Sequence, residues 1–394
     1  MKEGWTYKKL GEVCEILNGF AFQSKNYVPE GIRVVRITNV QKGYIEDIDP
    51  KYYPIESKNE LSRYLLKDGD LLLSLTGNVG RVAIIDCSYL PAYLNQRVAC
   101  IRVKENVSLD LNFLFHLLYS KKFEGDCIKS SKGAAQLNMS TIWLASYLIP
   151  VPSIEEQRSI VARLDAAFAH IDALKANADK QLAEARQLFQ AELAECMRPK
   201  EGWEEKTLGE ICEIVGEYGL NVSSKPFDGV RYLRITDITD MGELNNEKVS
   251  ANFDNGKKQD ELKEGDILFA RTGATVGKTL VYRKEFGECL FAGYLIRYRL
   301  KKDRVLPRYL HYLTHSNEYY NWVAINQEAA AQPNISAKKY NLLKVKYPKT
   351  DEQKEIISRL DALSANIKKL EELQRKILGE CDALKQAMLR EVFE

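Results

Sequence analysis

Apolar positions along this chain follow two different periods. Between 33 and 103 they come in short runs rich in valine, isoleucine and leucine: "RVVRIT", "DLLLSLT", "VAIID" and "RVACIRV". Runs of this length and β-branched content, bounded by polar turns, predict strands. "LNFLFHLLYSKKF" at 111–123 predicts a helix. A proline boundary follows in "IPVPS" at 149–153, and the period then changes. Ile160, Leu164, Ala167, Ile171, Leu174, Ala178 and Ala185 recur in steps near three and four, a heptad stripe. Ser153 with Glu156 has the spacing of a capping box, which fixes a helix start. Positions 155–197, as one helix, would span about 65 Å. The same succession then recurs. "VRYLRIT", "DILFART", "TLVYR" and "YLIRYRL" predict strands, a helix follows around 307–322, and "YPKT" at 347–350 precedes a second stripe. That stripe is Ile356, Leu360, Leu363, Ile367, Leu370, Ile377, Cys381, Leu384 and Met388, interrupted by the polar Gln374.

The succession recurs because the chain is written twice. "GWTYKKLGEVCEI" at 4–16 returns as "GWEEKTLGEICEI" at 202–214. "VRITNV" at 35–40 returns as "LRITDI" at 233–238, and "DGDLLLSLTGNVGRV" at 68–82 as "EGDILFARTGATVGKT" at 264–279. "AAQLNMS" at 134–140 returns as "AAQPNIS" at 330–336, and "EEQRSIVARLDA" at 155–166 as "DEQKEIISRLDA" at 351–362. The offset stays between 196 (155 to 351) and 198 (4 to 202) residues. The expected fold is therefore α+β: two similar mixed α/β globules, each with a largely antiparallel sheet, at 1–150 and 201–347. Two long helical spacers occupy 151–200 and 348–394. Each stripe makes its helix amphipathic and in need of a partner. The nearest partner is the other copy, most simply antiparallel, with Ile160, Leu164, Ile171, Leu174, Leu360, Leu363, Ile367, Leu370, Ile377 and Leu384 forming the core of the pair. That pairing would set the globules at opposite ends of a rod, related by an approximate two-fold axis. Two similar domains held apart suit a periodic ligand, and duplex DNA is the obvious one.

Composition narrows the picture only a little. The 394 residues are 45% hydrophobic and 28% charged, which permits packed cores. The net charge of +2 does not announce nucleic acid, although the mixed portions are net positive and the helical portions net negative. No run of about 18 apolar residues is present, so no membrane span is expected, and the N-terminus lacks the apolar core of a secretory signal. Eight cysteines without a C-x-x-C pair fit a reducing cytoplasm and no zinc finger. "RTGATVGKTL" at 271–280 resembles a nucleotide-phosphate loop, but only three residues separate Gly273 from Gly277 and a strand follows where that loop needs a helix. Its sister "LTGNVGRVA" has Arg81 and Val82 in place of the lysine and hydroxyl. A structural turn between strands is the better reading, and an NTPase the least favoured function. His311 and His315, four apart in "HYLTH", lack the glutamate of a zinc-protease helix.

The doubled set of "GW…LGE.CEI", "RIT", "GD.L…TG…G" and "P….EQ..I..RLDA" segments, in this order over essentially all of the chain, resembles the specificity subunits of type I restriction–modification systems. The resemblance implies two target recognition domains and two conserved helical regions, in a subunit without catalytic activity. It implies binding to an asymmetric, bipartite double-stranded DNA site, one half per domain, in the cytoplasm. Partners would be two modification subunits that methylate adenine N6 and restriction subunits that cleave. No cofactor belongs to this chain; S-adenosylmethionine, ATP and Mg would serve the partners. No amino-methylation motif, complete phosphate loop or nuclease carboxylate cluster is found in the sequence. The alternative is a stand-alone DNA- or protein-binding regulator on the same scaffold.

Contact with DNA needs phosphate positioning and base-edge readout, for which Arg–guanine and Asn/Gln–adenine pairs are geometrically favoured. In the first domain the candidates are Gln23, Ser24, Lys25 and Tyr27; Arg36, Thr38 and Asn39; Thr76, Asn78 and Arg81; Asn95, Gln96 and Arg97; and Ser131, Lys132, Gln136 and Asn138. In the second they are Tyr218, Ser224 and Lys225; Arg234, Thr236 and Asp237; Arg271, Thr272, Thr275 and Lys278; and Gln327, Gln332 and Asn334. Lys25, Lys132 and Lys278 suit phosphates best. Residues shared by both copies also suit a scaffold role, because two half-sites usually differ: Arg36 and Arg234 as partners of carboxylates, Asn138 and Asn334 as backbone caps.

Overall fold

The computed structural model describes residues 4–133, 137–252, 261–301, 303–327 and 333–394. The chain divides into two compact units, Met1–Ala178 with Arg375–Glu394, and Asp179–Gln374.

In the first unit a four-stranded antiparallel sheet has the order Cys14–Asn18, Val98–Val103, Leu71–Ser74, Val82–Ile84. All four residues of Leu71–Ser74 are buried. Successive side chains leave opposite faces of a strand. Leu71 and Leu73 therefore join Ala99 and Ile101 in one core cluster, while Leu72 joins Val98 and Cys100 in another. Leu72 opposite Cys100 and Leu73 opposite Ala99 set this register, and a slip of one residue would exchange the faces. The uninterrupted leucines of "DLLLS" thus belong to a strand covered on both sides. The second unit repeats the sheet as Cys212–Tyr218, Leu295–Leu300, Ile267–Ala270, Thr279–Val281. Ile267, Phe269, Ile296 and Tyr298 face one cluster, and Leu268, Ala270, Leu280 and Leu295 the other.

Each unit also contains a parallel pair that the apolar pattern does not announce. Ile32–Val35 runs parallel to Ala92–Leu94, and Arg231–Leu233 parallel to Cys289–Phe291. The helix expected over 111–123 is two helices, Leu111–Leu118 and Lys121–Ser130. Ser120 separates them: its hydroxyl donates to the Leu117 carbonyl (2.8 Å) and accepts from the Phe123 N–H (3.3 Å). Ser316 does the same between Pro307–Leu313 and Asn317–Asn326. A serine that satisfies both ends competes with continuation of the helix.

The long helices are Ile154–Cys196 and Thr350–Phe393. Ser153 Oγ accepts the Glu156 N–H (3.2 Å), as the sequence led one to expect. In the first unit Lys175 meets Asp382 (2.9 Å) and Asp172 meets Lys385 (2.6 Å). In the second, Asp179 meets Gln374 (2.6 Å) and Arg186 meets Glu371 (2.6 Å). One number rises as the other falls, so the helical stretches in each unit are antiparallel. Gln374, the polar break in the stripe, spends its amide on that cross-helix bond. Ile160, Leu164 and Ile171 are buried in the first unit, Leu360 and Ile367 in the second, while Leu363 and Leu370 are half-buried. Leu174, Leu384 and Ile377 are not in the core: they are 57%, 51% and 37% exposed. After Ile171 the stripe steps by four to Lys175, and the second helix turns Leu378 and Lys385 inward instead. A lysine can lay its methylenes along the seam while its ammonium stays polar. Lys385 places its ammonium 5.0 Å from the Phe168 ring centroid.

Candidate nucleic-acid interface

Two polar pairs that recur in both copies, Asp70/Asp266 and Gln157/Gln353, point inward. Asp70 accepts both arms of the Arg102 fork (2.7 Å each) and the Lys67 N–H (2.8 Å); Asp266 repeats this with Arg299 (2.6 and 2.7 Å) and Lys263 (2.8 Å). Gln157, fully buried, accepts the Asp110 N–H (2.8 Å) and donates to the carbonyls of Ser108 (3.1 Å) and Pro152 (2.9 Å). Gln353 does the same with Leu306, Arg304 and Pro348, at 2.8 Å each. This glutamine of "EQ" ties a long helix to the globule beside it. Asn39 and Asp237 close the "RIT" turns by accepting the N–H of Arg36 (2.9 Å) and Arg234 (2.8 Å). Both are buried, at 5% and 1% exposure.

In the first unit, backbone bonds gather most of the candidate segments at one edge. Gln96 N–H donates to the Phe20 carbonyl (2.9 Å), joining the 19–27 loop to the 95–97 turn. Asn95 N–H donates to Val35 (3.2 Å), and Leu75 N–H to the Arg97 carbonyl (2.9 Å), bringing in the residues from 36 and from 76 onward. Asn138 bridges to Thr76 and to Lys132. Within this group Gln23, Ser24, Lys25, Thr38, Asn78, Gln96, Arg97, Lys132 and Asn138 are exposed. Tyr27, Thr76 and Ser131 are half-buried, and the Ser131 hydroxyl caps the preceding helix at Cys127 (2.7 Å). Asn95 is buried and accepts the Arg97 N–H (3.1 Å). Arg36 is held by Asp49 (3.3 Å) and Arg81 by Gln41 (2.7 Å). Gln136 lies outside the described residues.

The second unit has the same assembly. Gly293 N–H donates to Leu220 (2.7 Å), Ala292 N–H to Leu233 (2.9 Å) and Arg271 N–H to Tyr294 (3.0 Å), while Thr272 bridges to Asn334. Here a groove of about 790 Å³ is lined by Asn221, Ser224, Arg234, Thr236, Gly293 and Tyr294. Ser224 and Thr236 are exposed. Arg234 is forked onto Asp237 (2.7 and 3.2 Å), and Lys225 pairs with Asp228 (2.6 Å). Arg271 bonds Asn334 (3.2 Å) and lies 4.9 Å over the Tyr218 ring, whose hydroxyl accepts the Ala337 N–H (3.0 Å). Thr272 is buried, and Thr275 donates back to its carbonyl (3.3 Å). Gln327 is half-buried at a helix end, and Gln332 lies outside the described residues. Lys278 reaches Asp240 (2.7 Å), and the chain after it enters the strand Thr279–Val281. Gly273 and Gly277 take φ values of 72° and 89°, and Gly77 and Gly80 of 68° and 87°. The two Thr-Gly motifs are thus turns between strands, which is the structural-turn reading of the sequence.

Sequence reading overlooked exposed positions in this group, among them Asn221 in the loop and Tyr294 in the turn. Tyr294 is 57% exposed in the turn equivalent to Asn95–Arg97. "FAGY" shares no residue with "LNQR" at matching places, so only the offset could have pointed to it.

His116, His311 and His315 are buried instead of presented, whereas His170 is exposed. The His311 and His315 rings are tilted 44° to each other with centroids 4.3 Å apart, and His315 Nδ1 lies 2.7 Å from the His311 carbonyl. Burial drives both well toward neutrality, and for His311 the neighbouring His315 and Arg308 add to it. His116 is also lowered, because burial outweighs its bond to the largely exposed Asp165 (2.7 Å). Burial pushes the Cys14 and Cys212 thiols up to about 12, so neither is a ready nucleophile.

Comparison with known proteins agrees with this doubled architecture. Residues 2–184 and 200–378 each match the type I restriction modification DNA specificity domain, and the chain belongs to that family. It is 27% identical over 426 residues to the EcoBI specificity subunit of Escherichia coli, covering 99% of this chain and 86% of that one. It is 26% identical over 425 residues to the EcoKI specificity subunit of Escherichia coli strain K12, covering 100% and 89%. Among solved structures, a chain from work on assembly and conformational transition of a type I restriction–modification system superposes with a TM-score of 0.74. It has 22% identity, with 100% and 98% coverage. The HsdS subunit of Thermoanaerobacter tengcongensis gives 0.54 at 21% identity, with 100% and 97% coverage.

Proposed function

We propose that this chain is the DNA-reading specificity subunit of a type I restriction–modification complex, with each unit reading one part of an asymmetric, two-part site. The observation that carries the reading is a division between repeated and unrepeated residues. Asp70/Asp266, Gln157/Gln353 and the glycine turns recur and face inward. Exposed residues at some matched places on the gathered edge differ, as Arg97 and Tyr294 do, while Thr38/Thr236 and Ser24/Ser224 are shared. A common frame with different exposed side chains suits two different half-sites. The chain contributes recognition and no catalysis. Two modification subunits, using S-adenosylmethionine, act on adenine N6, and restriction subunits with ATP and Mg join them. Lys25 and Lys132, both exposed, meet DNA phosphates in this reading.

Selection of duplexes from a random library by the chain with its modification partner tests this. The expected product is two conserved blocks at fixed separation, with binding that falls steeply between about 50 and 200 mM salt as counterion release requires. A single continuous block, or no enrichment, would contradict it.

A further inference from the structure

Two glycines bring a loop onto a turn in each unit. A methyl group on Gly19 would lie 2.2 Å from the Asn95 backbone, and one on Gly219 2.3 Å from Ala292. The loops therefore lie directly against the turns, and the Gln96→Phe20 and Gly293→Leu220 backbone bonds put the two copies in strict correspondence. Ala21 matches Asn221, Gln96 matches Gly293, and Arg97 matches Tyr294. At the first two places large and small residues have changed sides. In the second unit Asn221 leans across Gly293, with Oδ1 1.9 Å from where a Gly293 side chain would begin. In the first unit the turn carries Gln96 and the loop opposite carries only Ala21. Each unit thus offers one exposed carboxamide from this junction, supplied by the turn in one and by the loop in the other. Neither amide has a side-chain hydrogen-bond partner among the described residues.

Both units thus present an amide at this junction although it comes from the turn in one and from the loop in the other. A carboxamide presents a donor and an acceptor side by side, the pattern that pairs with N6 and N7 of adenine in the major groove. We propose that Gln96 and Asn221 are equivalent base-reading groups, one per unit, each addressing an A·T pair in its own half-site. The residue beside each amide then separates the half-sites. Arg97 offers the fork that suits guanine, whereas Tyr294 offers a ring and one hydroxyl. This inference rests on the reading of the chain as a DNA specificity subunit.

The test is genome-wide mapping of N6-methyladenine in cells carrying the intact modification complex with wild-type chain, Q96A, N221A or the double variant A21N/Q96G. Soluble complex formation is checked for each. With Q96A, preference at one A·T position of one half-site should fall by about tenfold or more while the other half-site is unchanged. N221A should do the same in the other half-site only. A21N/Q96G moves the amide to the loop, as in the second unit, and should restore much of the lost preference. If the wild-type chain directs a two-part motif and both alanine variants keep that motif at every position, the proposal is overturned. It is equally overturned if methylation falls uniformly with no change in base preference, or if relaxation occurs at a G·C position. If the wild-type chain directs no two-part motif, the underlying reading fails instead.

Discussion

Gln157 and Gln353 show how a residue type that suits base recognition can be wholly structural. Each is fully buried and makes three hydrogen bonds with backbone groups that precede two helix starts, one in the globule and one of the long helix. Removing such a side chain strands buried donors and acceptors at about 1–3 kcal/mol each. Q157A and Q353A should each lower unfolding stability by at least about 2 kcal/mol, measured by denaturant titration. The buried histidines make a second residue-scale prediction. Their folded-state proton affinity lies below the ordinary 6.5, because burial disfavours the charged ring. Above about pH 6.5 neither the folded nor the unfolded chain holds these protons, and stability is at its full value. As the pH falls below that, the unfolded chain takes up protons that the folded chain resists, so stability declines. Thermal unfolding across pH 7.5 to 5 should follow that decline, and it should be shallower in H311Q. A pH-independent midpoint would contradict the burial of these rings.

At the scale of elements, the strands were legible from short apolar runs and the paired long helices from their heptad stripe. The limits of legibility are equally specific. "LNFLFHLLYSKKF" reads as one helix until Ser120 is seen bonding both sides of a break. The parallel pairs depend on partners about sixty residues away, which no local pattern encodes. The helix stripe was read correctly at Ile171, Ala178, Ala185, Cys381 and Met388 and missed by one residue at Leu174, Ile377 and Leu384, where Lys175, Leu378 and Lys385 turn inward. The corrected seam can be checked. L164A removes a side chain that is 1% exposed and should cost about 2–5 kcal/mol. L174A removes one that is 57% exposed and should cost under about 0.5 kcal/mol. Equal effects in calorimetry would restore the original stripe. Of the candidate interface, the segments were legible but the split within them was not. Asn39 and Asp237 differ from Gln96 and Arg97 only in burial, which depends on the turn each side chain closes.

For the whole molecule, the doubled sequence and the repeated sheets suit the proposed reading of two DNA segments at a set interval. If the long helices set that interval, inserting the same number of whole turns into both should lengthen the spacer that is tolerated and leave both half-sites unchanged. Inserting a turn in only one helix should abolish function, by breaking the register of pairs such as Asp172–Lys385 and Arg186–Glu371. Selection on libraries of graded spacer length would read both outcomes. The most direct test of the central claim is the map of N6-methyladenine in cells with and without this gene, the modification partner being present in both. The account predicts a two-part motif at constant spacing that appears only with the gene. A methylation pattern that is unchanged by its removal would contradict it.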